Sequence, residues 1–442
     1  MRVVLAAALA AAALYGALAA AGDLTHRVPL YLAAHALLVG AMLLAHRAVA
    51  RGGRAAFRAM LAAAVVFRLI ALAAPPSLSD DVYRYVWDGR VQAAGHHPYK
   101  FAPSDPMRAE LRDGAVYPRI NHPEIPTIYP PLAELLFAAL ALAKLGVGGF
   151  KLAFVALDVG VIVALLRLLR ALELPRDRIV FYAWNPLAVV EVAASGHLEP
   201  AGILPMVLAL AWLIEERPVR AGAALGAAIQ MKLLPLILFP GFVRRLKLLP
   251  LLAMLAVVVL TTVPYAVRGP FYGRGVLAYA HRWEHGAVLF EGVRAVYARI
   301  DLAPGLKAGI AWAQARWGAG DTALWDALYR AVWPQELARA TVAALALMWA
   351  AAQSFRPRID AAHEARLALG GAILLAPTLH PWYVLWILPL AACALSGGWL
   401  LFAGLIPLQY LAGRGEVPWG IRLAILLPSA AWMLRDTLRS RR

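Results

Sequence analysis

Apolar residues along this chain gather into long runs separated by short clusters of charge. The runs cover roughly 3–21, 28–46, 57–74, 150–168, 179–195, 201–214, 248–267, 336–352, 365–379, 382–395, 398–411 and 419–434. Most approach the length of about 20 residues that carries a helix across a hydrocarbon core, so the pattern predicts about twelve spanning helices. Two further stretches depart from it. Residues 131–145 are apolar but span only about 15 residues, short for a crossing, and predict a juxtamembrane or re-entrant helix. Residues 221–242 are interrupted by Lys232, Pro235 and Pro240 and predict a broken helix or a tight hairpin. The expected fold class is an all-α polytopic membrane protein, with residues 1–442 forming a single membrane domain.

The positions of Lys and Arg orient such a bundle. Arg47, Arg51, Arg54 and Arg58 mark one cytoplasmic loop, and Arg167, Arg170, Arg176 and Arg178 another. Arg244, Arg245 and Lys247 form a third, Arg356 and Arg358 a fourth, and Arg435, Arg439, Arg441 and Arg442 a basic tail. All five lie on one side if 131–145 does not cross and 221–242 returns to its starting side. Both termini are then cytoplasmic in a multi-pass plasma (inner) membrane protein. Two long segments, 75–130 and 268–335, fall outside. Loops of that length are usually functional.

Composition supports a bilayer as solvent. The 442 residues are 62% hydrophobic, above the half that suits a soluble domain, and the mean hydropathy is +0.66. The formal charge of +17 comes from basic residues in short loops at span ends. Orientation and attraction to anionic lipid headgroups explain it better than nucleic acid does. The lone cysteine, Cys393, permits no intrachain disulfide and argues against a thiolate metal site. Residues 1–21 resemble a signal peptide, with Ala19-Ala20-Ala21 at a cleavage-like position. The spans that follow at once make it an uncleaved signal anchor.

Candidate chemistry concentrates in the outer segments. The first opens Ser79-Asp80-Asp81-Val82-Tyr83-Arg84-Tyr85-Val86-Trp87-Asp88-Gly89, continues Gly95-His96-His97-Pro98-Tyr99 and ends Tyr129-Pro130-Pro131-Leu132. Adjacent carboxylates beside a span end are costly when dehydrated. Their mutual repulsion raises the pKa of one member, which suits a general base. The structural alternative is a solvated helix start with an N-cap. Further along stand Trp184-Asn185-Pro186-Leu187, Gly196-His197-Leu198-Glu199, Lys232-Leu233-Leu234-Pro235, Arg282-Trp283-Glu284 and His380-Pro381-Trp382-Tyr383.

This ordered set resembles the GT-C glycosyltransferases, and more narrowly the prokaryotic alpha-mannosyltransferases that use polyprenyl-phosphate-mannose. The resemblance runs from about Ser79 to Tyr383. One departure is Leu198-Glu199, where relatives often carry Asn-Asp. The resemblance implies a GT-C-like bundle and an inverting transfer of a hexose, mannose, from a polyprenyl-phosphate sugar to a hydroxyl of a glycan or lipid acceptor. From the residues themselves no cofactor and no metal are expected, since no phosphate-loop or dinucleotide pattern stands in the sequence. The resemblance assigns the base, or the acceptor-orienting acid, to Asp81 or Asp80, with Asp81 preferred because it starts Asp-x-Tyr-x-Tyr.

Chemistry gives the same parts their roles. A carboxylate accepts the proton of the attacking hydroxyl, and a departing lipid phosphate needs cations and hydrogen-bond donors. Arg84, Arg282, His380 and Tyr383 are the candidates for the phosphate. Tyr85, Trp87, Asp88, Tyr129, His197, Glu199, Lys232 and Trp283 complete the candidate substrate-binding set. Lys232 either lines a polar cavity or snorkels to the surface. His197 and Glu199 either line the cleft or cap the turn before Pro200. Asn185 lies deep in its run and fits an interhelical hydrogen bond. His281-Arg282-Trp283-Glu284-His285 matches the zinc-protease spacing H-x-x-E-H, a pattern short enough to arise by chance. The runner-up function is a transporter or flippase of lipid-linked sugars; no inverted repeat supports it.

Overall fold

The computed structural model describes residues 1–269, 273–318, 322–356 and 359–439. Arg358, Arg441 and Arg442, used above for orientation, lie outside the described residues. The described chain is helical, and its β pairing is confined to isolated bridges between Thr378 and the pair His285 and Gly286. Its helices include α1 (Arg2–Ala20), α2 (Val28–Arg51), α3 (Arg54–Ala71), α4 (Asp81–Ala93), α5 (Pro131–Leu142), α6 (Val147–Ala171), α7 (Glu199–Ile214), α8 (Pro218–Met231), α9 (Leu248–Ala266), α10 (Arg274–Arg282), α11 (Leu289–Ile300), α12 (Pro334–Ser354), α13 (Ala361–Leu375), α14 (Gly397–Leu405) and α15 (Trp419–Arg439). The chain is a helical membrane protein. Among the described residues four helices, α1, α2, α6 and α9, are long and apolar enough to cross a membrane on their own.

Several of the other apolar runs are subdivided, and proline explains where. The 179–195 run is cut at Trp184-Asn185-Pro186. A short helix ends at Ala183, Asn185 caps the next one by accepting from the Leu187 N–H (3.1 Å), and a π-helical stretch, Val190–Ala194, follows. Asn185 also donates from Nδ2 to the Phe181 carbonyl of the preceding short helix (3.2 Å), so it caps one helix and ties it to the other. The 382–395 run begins as a 3-10 turn, Pro381–Trp386, and the 398–411 run ends as one, Ile406–Ala412. Within residues 131–145 the helix is the twelve-residue α5, Pro131–Leu142. The 221–242 stretch is a broken helix. α8 stops at Lys232, whose backbone is extended, and the 3-10 turn Leu234–Leu238 follows.

Packing follows the chain. α1 lies on α2 and α3, α6 on α7, α7 on α8, α8 on α9, α11 on α12, α12 on α13, and α14 on α15. α4, the helix that carries the paired aspartates, packs on α5. Gly89 makes this possible, because a Cβ there would collide with the Phe137 carbonyl. The Tyr85 ring stacks on Phe137 (centroids 5.0 Å apart) and meets Phe154 and Tyr129 edge-on. Burying these rings fixes α4, and with α4 the direction in which Asp81 points.

Candidate active site

A cavity of about 1010 Å³ opens where α4, the 3-10 turns after α8 and α13, and the segment before α15 meet. Its wall contains Asp80, Asp81, Arg84, Tyr129, Lys232, Trp283, His380 and Tyr383 from the sequence set, and Tyr83, Arg119, Asn121, His122, Tyr279, His285, Tyr410 and Arg414 besides. A polar, aromatic cavity of this size at the junction of broken helices is where a substrate site is expected.

The two aspartates have different partners. Asp80 stands at the N-cap position of α4 but makes no side-chain cap bond; its Oδ2 meets Arg414 Nη2 at 2.7 Å. Burial pushes the Asp80 carboxyl above the usual range, against the pull of Arg414 and with the push of Asp81. Asp81 Oδ1 accepts from Asn121 Nδ2 (2.9 Å), and its Oδ2 faces His197 Nδ1 at 3.7 Å. Among the described residues no Lys or Arg forms an ion pair with Asp81, so the two acids are not equivalent.

His197 and Glu199 do not line the cavity; both are fully buried beneath it. Gly196 brings the chain there, at φ +79°, a conformation that favours glycine. His197 Nε2 faces Glu191 Oε2 at 3.4 Å, and its Nδ1 faces Glu199 Oε2 at 3.9 Å. Tyr410 donates its hydroxyl proton to the other Glu191 oxygen (2.6 Å). Lys232 lies at the end of the broken helix, lines the cavity and pairs with Glu199. Its ammonium sits 4.5 Å from the centre of the Tyr383 ring, a cation–π contact. Of the two readings of Lys232, the structure takes the cavity.

Four rings stack from the buried interior outward. His197 lies on Trp382 (4.1 Å), Trp382 on His380 (4.4 Å) and His380 on His285 (4.3 Å). Burial, helped by the neighbouring His285, His197 and Lys232, holds His380 well below the ordinary imidazole pKa. Burial and Arg422 lower His285 as well. His380 therefore meets a ligand as a neutral imidazole. The stack is held in register by backbone bonds, Leu379 N–H to His285 O (2.8 Å) and His285 N–H to Pro377 O (3.1 Å). These join the 268–335 segment to the His380 turn. Tyr383 shares a hydrogen bond with Tyr279 of α10.

Other residues of the sequence set lie elsewhere. Arg84 touches the cavity and pairs with Asp88 on the next turn (3.0 and 2.9 Å), leaving its Nη2 without a partner. Asp88 stays behind Arg84, outside the cavity wall. Tyr85 and Trp87 are buried in packing, Trp87 against Tyr117. Arg282 is exposed at the end of α10, away from the cavity wall. Trp283 stacks obliquely on His122 (4.4 Å). In the H-x-x-E-H pattern His281 reaches Glu336 (3.0 Å), Glu284 is tied to Arg339 (2.5 Å) and His285 turns to His380, so the pattern does not converge on one point.

The sequence reading passed over Glu191, Arg119, Asn121, Tyr279, Tyr410 and Arg414. Glu191 alone carried a signal, a single carboxylate inside an apolar run.

Residues 3–248 match a family described as alpha-(1->6)-mannopyranosyltransferase, N-terminal domain, and residues 328–406 match the MptB C-terminal domain. No curated protein and no solved structure matches the chain. The first match covers more than half of the 442 residues and includes Asp81, His197, Glu199 and Lys232; the second includes His380 and Tyr383. The transporter and flippase alternative falls to this finding. The chain belongs to the alpha-(1->6)-mannopyranosyltransferase family and is a membrane glycosyltransferase that acts on mannose.

Proposed function

We propose that this protein transfers mannose from a polyprenyl-phosphate-mannose donor to a hydroxyl of a glycan or lipid acceptor, with inversion, on the outer face of the plasma membrane. The acceptor oxygen attacks the anomeric carbon and the bond from that carbon to the phosphate oxygen breaks. The hydroxyl proton passes to Asp81, and the lipid phosphate leaves with the electron pair. Both termini then lie in the cytoplasm, and the 75–130 and 268–335 segments supply the catalytic and donor walls of one membrane domain of the GT-C type.

The pairing of the two acids carries this reading. Asp80 is engaged by Arg414, whereas Asp81 lines the same cavity held by Asn121 and His197, with no Lys or Arg partner among the described residues. A carboxylate must keep a free lone pair to accept a proton. Lys232, Arg84, Arg119 and neutral His380 line the same cavity and offer charge and hydrogen bonds to a departing phosphate. Ile125, Ile128, Leu233 and Val276 line the same cavity and suit the first isoprene units of the donor.

The test is transfer of radiolabelled mannose from polyprenyl-phosphate-mannose in membranes containing the protein. Wild type is expected to transfer label and Asp81→Asn to lose it. Wild-type rates in that variant refute the role of Asp81. Transfer is expected to persist in EDTA; loss restored by a divalent ion overturns the metal-independent scheme. Cysteine labelling near residue 81 from the cytosolic side overturns the orientation.

A further inference from the structure

His197 carries a role that its place outside the cavity hides. Its ring is fully buried, yet three carboxylates from three elements face it within 4 Å: Asp81 of α4, Glu191 of the π-helical stretch and Glu199 of α7. Glu199 has a cation of its own in Lys232. Glu191 and Asp81 have none besides His197 among the described residues. A neutral imidazole would leave two ionised carboxylates buried or half-buried with no counter-charge, an arrangement that costs several kcal/mol per ion. An imidazolium answers both at once, donating from Nε2 toward Glu191 and from Nδ1 toward Asp81.

The surroundings suit a cation. The His197 ring lies face to face on Trp382, and an aromatic face attracts positive charge. Beyond Trp382 stands His380, which is neutral, and Tyr410 adds a hydroxyl to Glu191 rather than a charge. On the Asp81 side the other ionisable neighbours are Asp80, which has Arg414, and Arg119, which donates to the Tyr83 hydroxyl (2.7 Å). Burial depresses the His197 pKa, but Glu191, Glu199 and Asp81 outweigh it and hold it above the ordinary imidazole value.

We propose that His197 is a positioning residue for the transfer reaction: an imidazolium set between Glu191 and Asp81 that holds the Asp81 carboxylate in one orientation toward the cavity. This rests on the reading of Asp81 as the proton acceptor. His197 touches no substrate. Misplacing a reacting group by about 1 Å costs about 10²-fold in rate, and loss of the imidazolium removes both the orientation and the field.

Three variants of the full chain in membranes test this, with rates measured across pH. His197→Gln is expected to lower kcat by about 10²-fold with both KM values near wild type, and to abolish the alkaline limb that His197 sets. Glu191→Gln keeps the shape of the buried site but weakens the hold on the imidazolium. Its alkaline limb, where His197 loses its proton, is expected to move to lower pH. Asp81→Asn separates the two ideas. A wild-type rate in Asp81→Asn removes the reading on which the proposal rests. An inactive Asp81→Asn beside a His197→Gln with wild-type kcat and pH profile overturns the role of His197 alone. If His197→Gln does not fold, Glu191→Gln decides: an alkaline limb that stays in place overturns the proposal.

Discussion

Two buried ionic networks lie within this bundle, and they are built differently. In the first, Arg68 of α3 donates through Nε to Asp158 of α6 (2.5 Å) and through Nη1 to the carbonyls of Ala64 and Ala183 (2.9 and 2.8 Å). Tyr182 donates to the second Asp158 oxygen (2.5 Å). Both side chains of the pair are fully buried, and of their polar atoms only Arg68 Nη2 lacks a partner. In the second, beneath the cavity, His197 meets its three carboxylates at 3.4–3.9 Å, and both ring nitrogens together with one oxygen each of Glu191 and Glu199 lack close hydrogen bonds. Native interiors satisfy buried polar groups, and exceptions call for an explanation. The Arg68 network closes on itself and ties α3, α6 and the helix broken at Asn185 together. The His197 network does not close on itself, and one of its members, Asp81, also lines the cavity.

The largest effect that tests this contrast is on catalysis. Asp81→Asn is expected to lower the transfer rate by about 10²–10⁴-fold, the usual contribution of a general base, while the melting temperature stays near wild type, since Asn121 still has an acceptor. A large fall in melting temperature would move Asp81 into the class of Arg68. Next, Arg68→Met should destabilise the protein by about 3–5 kcal/mol, because it leaves Asp158 buried and uncompensated. Arg68→Met with Asp158→Leu should recover most of that loss, and transfer per folded molecule should match wild type in both. A catalytic defect in the recovered double variant would break the division between a structural and a functional network. A smaller effect, about 1–3 kcal/mol, is expected of Gly196→Ala, because an added Cβ at φ +79° also presses on Lys151 and Val82. As Gly196 sets the position of His197, its kcat should fall along with its melting temperature. Unchanged kcat would uncouple the turn from the site.

How far the sequence foretold each network follows from the same contrast. The helical membrane class, the short α5 and the break at Lys232 were readable because apolar runs, and the proline and charge that interrupt them, act locally. Asp81, Lys232, His380 and Tyr383, which line one cavity, stood out because polar residues flank or interrupt apolar runs there. The division of 179–195 at Pro186 was underread, since the run stays apolar through its break. Glu191 and Asp158 were overlooked although each is a lone acid in an apolar run, a position that costs energy unless a partner is supplied. His197 stands six residues past Glu191, across the turn at Gly196, and the other partners, Arg68, Tyr182 and Tyr410, come from other elements farther off along the chain. Long-range pairing of that kind leaves no local pattern. Arg119, Asn121 and Arg414 lie in polar segments where nothing marks one residue over its neighbours, whereas Tyr85, Trp87 and Asp88 shared a motif with Asp81 and proved to be its support.

The smallest expected effect concerns an ion pair outside both networks. Arg90 at the end of α4 meets Asp113 of the 75–130 segment at 2.5 Å, and each side chain is 38% exposed. Asp113 Oδ1 also accepts from the N–H groups of Val116 and Tyr117 (2.6 and 3.2 Å). Partial burial works against the charged form, but these bonds and Arg90 outweigh it and bring the carboxyl down to about 2 from a model-peptide value of 3.8. Because the folded value lies below the unfolded one, the stabilisation is complete above 3.8 and is lost as pH falls toward about 2. Solvent screening at this exposure keeps it within about 1 kcal/mol. Asp113→Asn should therefore lower the melting temperature slightly at neutral pH, flatten its dependence on acid in that window, and leave kcat unchanged. If Asp113→Asn instead lowers kcat as His197→Gln does, the segment that carries Asn121 to Asp81 depends on this staple. The boundary of the functional network would then have to be drawn to include α4's far end.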